Sequence, residues 1–528
     1  MKTAVILFAA SDSHYMFEKV FDGRSAYDYA LSWASSRSGH NNRGIFVFSA
    51  PSNSVLCRNE ARNTGVSVVV KEQNLWTLTS LLDGITAVTV ETGADSVVYA
   101  FADCPFLNGT LTEELMSTHE KYAAEYTFAD GYPYGFAPEV LDKGTAVILA
   151  ELSRTTQQKL GEAAVERNSI STLLKTDINS FEIETVLAPK DWRLYRFEFE
   201  CGTKAGFTAC RALYAAGNSG NMDVEKLSET AAGLETILKT VPGFYNVQIE
   251  SHCPGTCTYC PYPHEFETKY GFKPSSENAC RMSPEQFKPL VRQMAKLSGK
   301  AVVSLSSWGE PLFHPRFIDF VQAVVEQNGL SVMVETDGLL VNEELCRIVR
   351  EIAGTKIIWI VSLDAVTEET YRKMRGGNAT LAQAAASISV LQKYFPGNVY
   401  PQLVRTNINE NELEKFYRYW KDDKSPSGGR LIIQKYDSFG GLLPDCKPAD
   451  LSPLERNPCW HIRRDLTILA DGCVPVCREY MFNKIIGNVF KEELASVWQY
   501  MTPYVIKDKN GQYDEKCRKC DEYYTFNF

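Results

Sequence analysis

The chain has 528 residues, a net charge of −10, 23% charged residues and 44% hydrophobic ones. That length exceeds what one hydrophobic core supports, so about three domains are expected; the composition is that of globular protein. The acidic balance argues against a nucleic-acid binder, no run approaches the roughly 18 apolar residues of a membrane span, and fifteen cysteines in so long a chain point to cofactor thiols in a reducing cytoplasm rather than to disulfides.

Residues 3–10 are apolar and preceded by a single lysine. They could pass for a clipped signal peptide, but the run reads better as a buried first strand. A helical stretch at 25–35 and strands at 44–49, 66–70 and 96–101 follow. Strands alternating with helices predict an open parallel sheet over residues 1–215, with ligands at the carboxyl ends of its strands. Asp103-Cys104-Pro105-Phe106 falls at one such end. Residues 216–241 read as a linker, Gly217-Asn218-Ser219-Gly220-Asn221, and a helix striped by Leu227, Leu234, Ile237 and Leu238.

From 242 to 440 the alternation is regular, with strands expected at 244–250, 301–306, 330–335, 356–362, 399–405 and 430–435. Ser283-Pro284-Glu285-Gln286 is a capping box with proline at the first helical position. Six strand–helix repeats predict a partial (β/α)6 barrel whose chemistry sits in the carboxyl-end loops. The loop after the first strand reads Cys253-Pro254-Gly255-Thr256-Cys257-Thr258-Tyr259-Cys260. Three thiols at C-x3-C-x2-C spacing suit a [4Fe–4S] cluster, which cysteine sulfur holds; three ligands for four irons leave one corner open to a further ligand. A zinc knuckle is the competing reading, although zinc sites more often show paired C-x2–4-C units and a fourth ligand. Residues 441–528 bring Cys459, Gly472, Cys477 and a closing Cys517-x2-Cys520. These four thiols could ligate a second, fully coordinated cluster, or zinc. Cys446 and Cys473 are spare, and Cys57, Cys104, Cys201, Cys210, Cys280 and Cys346 read as buried small hydrophobes.

The cysteine triplet with its preceding aromatic Tyr259, Trp308-Gly309-Glu310-Pro311 after the second strand, Glu335-Thr336-Asp337-Gly338 after the third, and Ser362-Leu363-Asp364 followed by Arg375 after the fourth together resemble the radical S-adenosylmethionine (SAM) superfamily. Trp308 stands where that family has the first glycine of a Gly-Gly-Glu motif. The resemblance implies that Cys253, Cys257 and Cys260 hold the cluster that binds and cleaves SAM. It further implies that Tyr259, Gly309, Glu310, Ser362 and Arg375 contact SAM, with Arg405 a second candidate for its carboxylate. The C-terminal cysteines resemble the SPASM-type extension, which implies an auxiliary [4Fe–4S] cluster on Cys459, Cys477, Cys517 and Cys520, acting as an electron conduit. The whole chain, including its ending from Cys520 to Phe528, is similar to the spiro-SPASM subgroup. The front domain resembles cytidylyltransferase-type nucleotidyltransferases through Lys19, Asp103-Cys104-Pro105-Phe106 and Tyr134-Gly135-Phe136-Ala137-Pro138-Glu139-Val140, which implies Mg²⁺ at Asp103. Its first loop, Ser11-Asp12-Ser13, lacks the expected glycines and adds a negative charge, so the domain reads as degenerate.

The fold class expected is therefore α/β: a Rossmann-like open sheet, a partial barrel and a small C-terminal iron–sulfur domain. The function expected is a radical SAM oxidoreductase or modifying enzyme, reduced by a flavodoxin or ferredoxin, acting on a nucleotide-linked sugar or on a peptide or protein. Tyr436, Asp437 and Asp445 are weak candidates for a substrate-side acid or base. The rival expectations are a bifunctional or regulatory cytidylyltransferase and a non-enzymatic iron–sulfur carrier.

Overall fold

The computed structural model describes all residues except 11–12, 38–40, 156–159, 218–221, 378 and 526–528. Most of the expected Gly217–Asn221 linker, two residues of the Ser11-Asp12-Ser13 loop and the last three of the C-terminal motif therefore lie outside the described residues. The chain divides into two compact units, Met1–Leu238 and Lys239–Phe528.

The first unit is built on a seven-stranded sheet: β1 (Thr3–Ala9), β2 (Asn42–Ser49), β3 (Val69–Glu72), β4 (Ser96–Phe101), β5 (Tyr126–Asp130), β6 (Glu139–Asp142) and β7 (Ile183–Leu187), ordered β3-β2-β1-β4-β6-β5-β7. Every residue of β1 and β4 is buried, as continuous apolar strands covered on both faces should be. The third strand sits a few residues later than the apolar run at 66–70. The sheet departs from the expected parallel one at β6, which is antiparallel to both β4 and β5. The cause is length: the β5–β6 connection, residues 131–138, carries no helix, and a parallel crossover needs about a dozen residues or more.

The second unit holds β8 (Phe244–Val247), β9 (Ala301–Ser304), β10 (Leu330–Thr336), β11 (Ile357–Ser362), β12 (Val399–Arg405) and β13 (Ile432–Lys435), each parallel to its neighbour. All six expected strands form. A seventh, β14 (Asp465–Ile468), comes from the C-terminal segment and pairs in parallel with β8. The outer helices follow from amphipathic spacing. In Pro284–Ser298 the buried residues Phe287, Leu290, Val291 and Met294 recur at helical period, each contributing roughly 1.5–3 kcal/mol of burial. The capping box forms as written: Ser283 Oγ accepts the Gln286 amide, and the Gln286 side chain accepts the Ser283 amide. A hairpin, β15 (Cys473–Pro475) with β16 (Ile485–Asn488), follows β14. No helix among the described residues is long and apolar enough to cross a membrane.

Candidate cofactor sites

Beyond β8 the chain stays extended, with bridges from Gln248 to Ser306 and from Glu250 to Arg281, and then opens into the cysteine loop. All three thiols are half-buried. Two converge on Gly255, where a Cβ would stand 3.4 Å from Cys257 Sγ and 3.6 Å from Cys253 Sγ. The loop has no regular structure of its own and is fastened to the helix Glu368–Arg375: the Thr256 and Thr258 amides donate to the carbonyls of Arg375 and Met374 at 3.2 and 2.9 Å. Tyr259 donates its hydroxyl to Asp364 Oδ2 at 2.6 Å, and Arg375 Nη1 donates to the Tyr259 oxygen at 2.5 Å and to Asp364 at 3.3 Å. The opposite side is closed by Glu310, whose amide donates to His252 O at 2.9 Å. Gly309 is required there, because a Cβ would come within 1.8 Å of the Glu250 carbonyl.

Burial makes this loop unfavourable for thiolates in the absence of a bound cation. Burial, then the charges of Glu310 and Cys257, push the Cys253 thiol well up, and burial with the Cys257 charge pushes Cys260 up to about 12. Cys257 is raised by burial against an opposing pull from Arg375. Glu310 is raised to about 8 by burial and the Asp337 charge, even though its oxygens accept from Thr336 Oγ1 and from the Leu312 and Asp337 amides. Three thiolates together need a cationic group among them, and iron supplies it. The surrounding residues also carry polar atoms without partners: His252 Nδ1, Ser307 Oγ and Trp308 Nε1 are buried and unbonded. They are among several such atoms in the described residues, and their place on the loops flanking Cys253 fits a site built for a group that the polypeptide does not supply.

The four C-terminal cysteines are also assembled. Cys459 precedes the helix Trp460–Arg464 and donates its amide to Asp508 at 2.7 Å; Cys517 lies in Glu515–Lys519 and Cys520 caps that helix. Their thiols feel one another: Cys477 is raised by burial, Glu479, Cys459 and Cys517, and Cys520 by burial, Glu479 and Cys459. Burial and Asp508 push Cys459 up to about 12. Tyr480 Oη lies 3.5 Å from Cys517 Sγ, and the Glu522 amide donates to Cys520 Sγ at 3.4 Å. Among the described residues, the only ligand-type side chains drawn within 4.8 Å of one another in a group of three are Asp437, Asp521 and Glu522. Neither cysteine set is thus drawn to the spacing of one tetrahedral zinc, whose 2.3 Å bonds place sulfurs about 3.8 Å apart. The acidic group that is so drawn already holds protein cations. Lys435 Nζ lies 3.0 Å from Asp521 and 2.5 Å from Glu522, Lys447 Nζ 2.8 Å from Asp521, and Arg478 Nη2 2.8 Å from Asp437. Sequence reading found only Asp437 of this network, since nothing in local spacing pairs residues 435, 447 and 521.

Other expected residues fall as follows. Ser362 is buried at the end of β11 and donates to Glu335 Oε1 at 3.3 Å, beside Gln402 Nε2 at 2.8 Å. Arg405 is engaged by Glu410 at 2.8 and 2.6 Å. Tyr436 donates to Pro444 O at 2.6 Å. Asp445 accepts the Lys447 amide at 3.1 Å. Cys280, read as a buried hydrophobe, is exposed, held by its backbone amide, which donates to Ser251 Oγ at 2.7 Å, while its neighbour Met282 takes the buried position; the other five cysteines so read are buried.

In the first unit, Asp103 stands at the carboxyl end of β4 as expected and is 2% exposed. Both its oxygens are taken: Arg167 Nη1 and Nη2 donate to them at 2.7 and 2.6 Å, and Nη2 also reaches Glu200 Oε2 at 2.7 Å. The guanidinium lies 4.3 Å over the Phe101 ring. A Cβ on Gly202 would meet Arg167, Glu200 and Asp103 at 2.6–2.8 Å, so the space is full. Lys19 pairs with Glu60 at 2.9 Å.

Comparison with known proteins agrees with this arrangement. Residues 247–419 match the radical SAM superfamily and residues 459–521 an iron–sulfur cluster-binding domain, SPASM. The chain thus carries a radical SAM domain followed by a SPASM domain, and members of the radical SAM superfamily are enzymes that catalyse radical reactions. Among individual relatives, it is 38% identical over 367 residues to a protein of Treponema pallidum (strain Nichols) described as an uncharacterized protein, covering 67% of this chain and 97% of that one. Solved structures with a similar course include BtrN in complex with AdoMet and 2-DOIA (18% identity, 54% of this chain and 94% of that chain, TM-score 0.36). They also include anSMEcpe with bound AdoMet (16%, 54% and 84%, 0.39) and a cytidylyltransferase from Leptospira borgpetersenii serovar Hardjo-bovis (14%, 45% and 97%, 0.37).

Proposed function

We propose that the protein is a radical SAM oxidoreductase or modifying enzyme whose SAM-binding [4Fe–4S] cluster is held by Cys253, Cys257 and Cys260, with an auxiliary [4Fe–4S] cluster on Cys459, Cys477, Cys517 and Cys520. The observation that carries this reading is the cysteine loop: Cys253 and Cys257 approach one another across Gly255, Cys260 follows in the same loop, and His252 Nδ1, Ser307 Oγ and Trp308 Nε1 on the flanking loops have no partner. Cys253, Cys257 and Cys260 would hold a cluster that supplies the electron for reductive cleavage of SAM, the source of the oxidising power toward the substrate. The chain's own residues hold and enclose it. Arg375 and Tyr259, tied to Asp364, fix the loop that carries Cys257 and place a guanidinium beside that thiolate. Glu310, Gly309 and Ser362 line the SAM side, and Glu310 fixes the Thr336-Asp337 turn by accepting two hydrogen bonds from it, and a third from the Leu312 amide.

Four thiols in a closed set suit electron transfer from the substrate radical better than substrate chelation, which supports an oxidation. A flavodoxin or ferredoxin is the reductant of fitting potential class, in the cytoplasm. The substrate is a nucleotide-linked sugar or a peptide or protein. The Asp103–Arg167–Glu200 lock supports reading the nucleotidyltransferase-like first unit, of the kind found in spiro-SPASM proteins, as a binding or scaffolding module without Mg²⁺ at Asp103. Anaerobic reconstitution, reduction with dithionite and incubation with SAM test the core claim through 5′-deoxyadenosine. Candidate sugar nucleotides and peptides then separate the substrate classes by the mass lost or gained.

A further inference from the structure

Trp308 carries two unfavourable features at once. Its φ is +46°, the left-handed region that a bulky side chain rarely occupies. Its indole is 8% exposed, yet Nε1 has no hydrogen-bond partner. The backbone explains the first feature: the Trp308 carbonyl accepts from Gln248 Nε2 at 2.5 Å, and that nitrogen also donates to Tyr262 Oη at 3.0 Å. A glycine would serve this turn without strain, so the carbonyl anchor does not account for the indole. The ring stacks on Tyr262 at 5.9 Å with planes 11° apart and lies 5.3 Å from Phe439. Phe439, at φ +53°, and Met481, at φ +45°, belong to the same buried aromatic cluster. That cluster packs against Cys260. Three bulky residues thus hold strained backbones to build one wall beside the cysteine loop, and the only side-chain donor that Trp308 has is left unspent within it.

We infer that Trp308 holds its indole N–H for a sulfur of the cluster bound on Cys253, Cys257 and Cys260, and so raises that cluster's reduction potential. The inference rests on the proposed ligand assignment. The physical argument is charge: the reduced cluster carries one more electron, and a donor to its sulfur stabilises the more negative state. Trp308 is a positioning and tuning residue in this account, not a catalytic one.

The test uses the full chain, reconstituted anaerobically, with Trp308→Phe and Trp308→Gly. Both remove the donor; the first keeps the ring, and the second suits the left-handed backbone, so folding does not decide the result. An EPR-monitored redox titration follows the signal that SAM perturbs. Both variants are expected to bind as much iron as the parent, while the reduced-to-oxidised ratio at a fixed potential falls about tenfold, 59 mV for a one-electron couple. Variants with full iron and the parent midpoint overturn this inference alone. A parent that gives no SAM-responsive signal overturns the ligand assignment and this inference with it.

Discussion

The two sheets present like-charged groups at their carboxyl ends in opposite states. In the first unit, Asp103 and Glu200 converge and a protein guanidinium, Arg167, lies between them with every distance near 2.7 Å. In the second, Cys253 and Cys257 approach one another across Gly255, and Arg375, whose charge acts on Cys257, has Nη1 engaged with Tyr259 and Asp364. The polypeptide itself supplies the cation of the first site, and the cluster proposed for the second would supply one there. Motif spacing draws the eye to both, and the Arg167 contacts show that the first is filled.

The sharpest way to break this contrast is to remove one anion from each side. Cys257→Ala is expected to abolish SAM cleavage and remove about half of the bound iron, while the auxiliary set keeps its share; iron assay and 5′-deoxyadenosine yield check it. Asp103→Asn is expected to leave SAM cleavage within about twofold of the parent. It should instead lower the stability of the first unit by roughly 1.5–3 kcal/mol, as weakening hydrogen bonds between charged groups does while Glu200 still pairs with Arg167, read from the urea midpoint. Addition of Mg²⁺ or EDTA to the parent should move neither quantity.

Sequence spacing was enough for the second unit's six strands and for the place of the cysteine loop after the first of them, because these signals are local: period and cap. Three features were not legible, each for a physical reason. β14 joins β8 across more than two hundred residues, and nothing in an apolar tetrapeptide names its partner. Arg167 neutralises Asp103 from 64 residues away, so the carboxylate reads from sequence as free for a metal. Trp308 shows as a departure from a glycine motif, but its strained φ and unpartnered N–H are properties of packing.

Two smaller effects sharpen the comparison. Burial raises Glu139 to about 7, and its Oε2 has no partner. Its folded pKa lies above the unfolded value, so the stability that its neutral form contributes is complete below about pH 4.5 and lost as pH rises toward 7. The loss is at most about 3 kcal/mol. Glu139→Gln should flatten that window in pH-dependent urea titrations. Cys280→Ser, at the exposed thiol outside both sets, should change stability by less than about 0.5 kcal/mol and leave iron content unchanged, while removing one accessible thiol from a maleimide assay.

The central claim is that Cys253, Cys257 and Cys260 hold a cluster with one corner open to SAM. Its most direct test is the EPR spectrum of the dithionite-reduced protein with and without SAM. The account predicts a [4Fe–4S] signal that SAM shifts and that disappears in Cys253→Ala. A reconstituted protein that is colourless and zinc-loaded, or whose iron–sulfur signal ignores SAM, would contradict it.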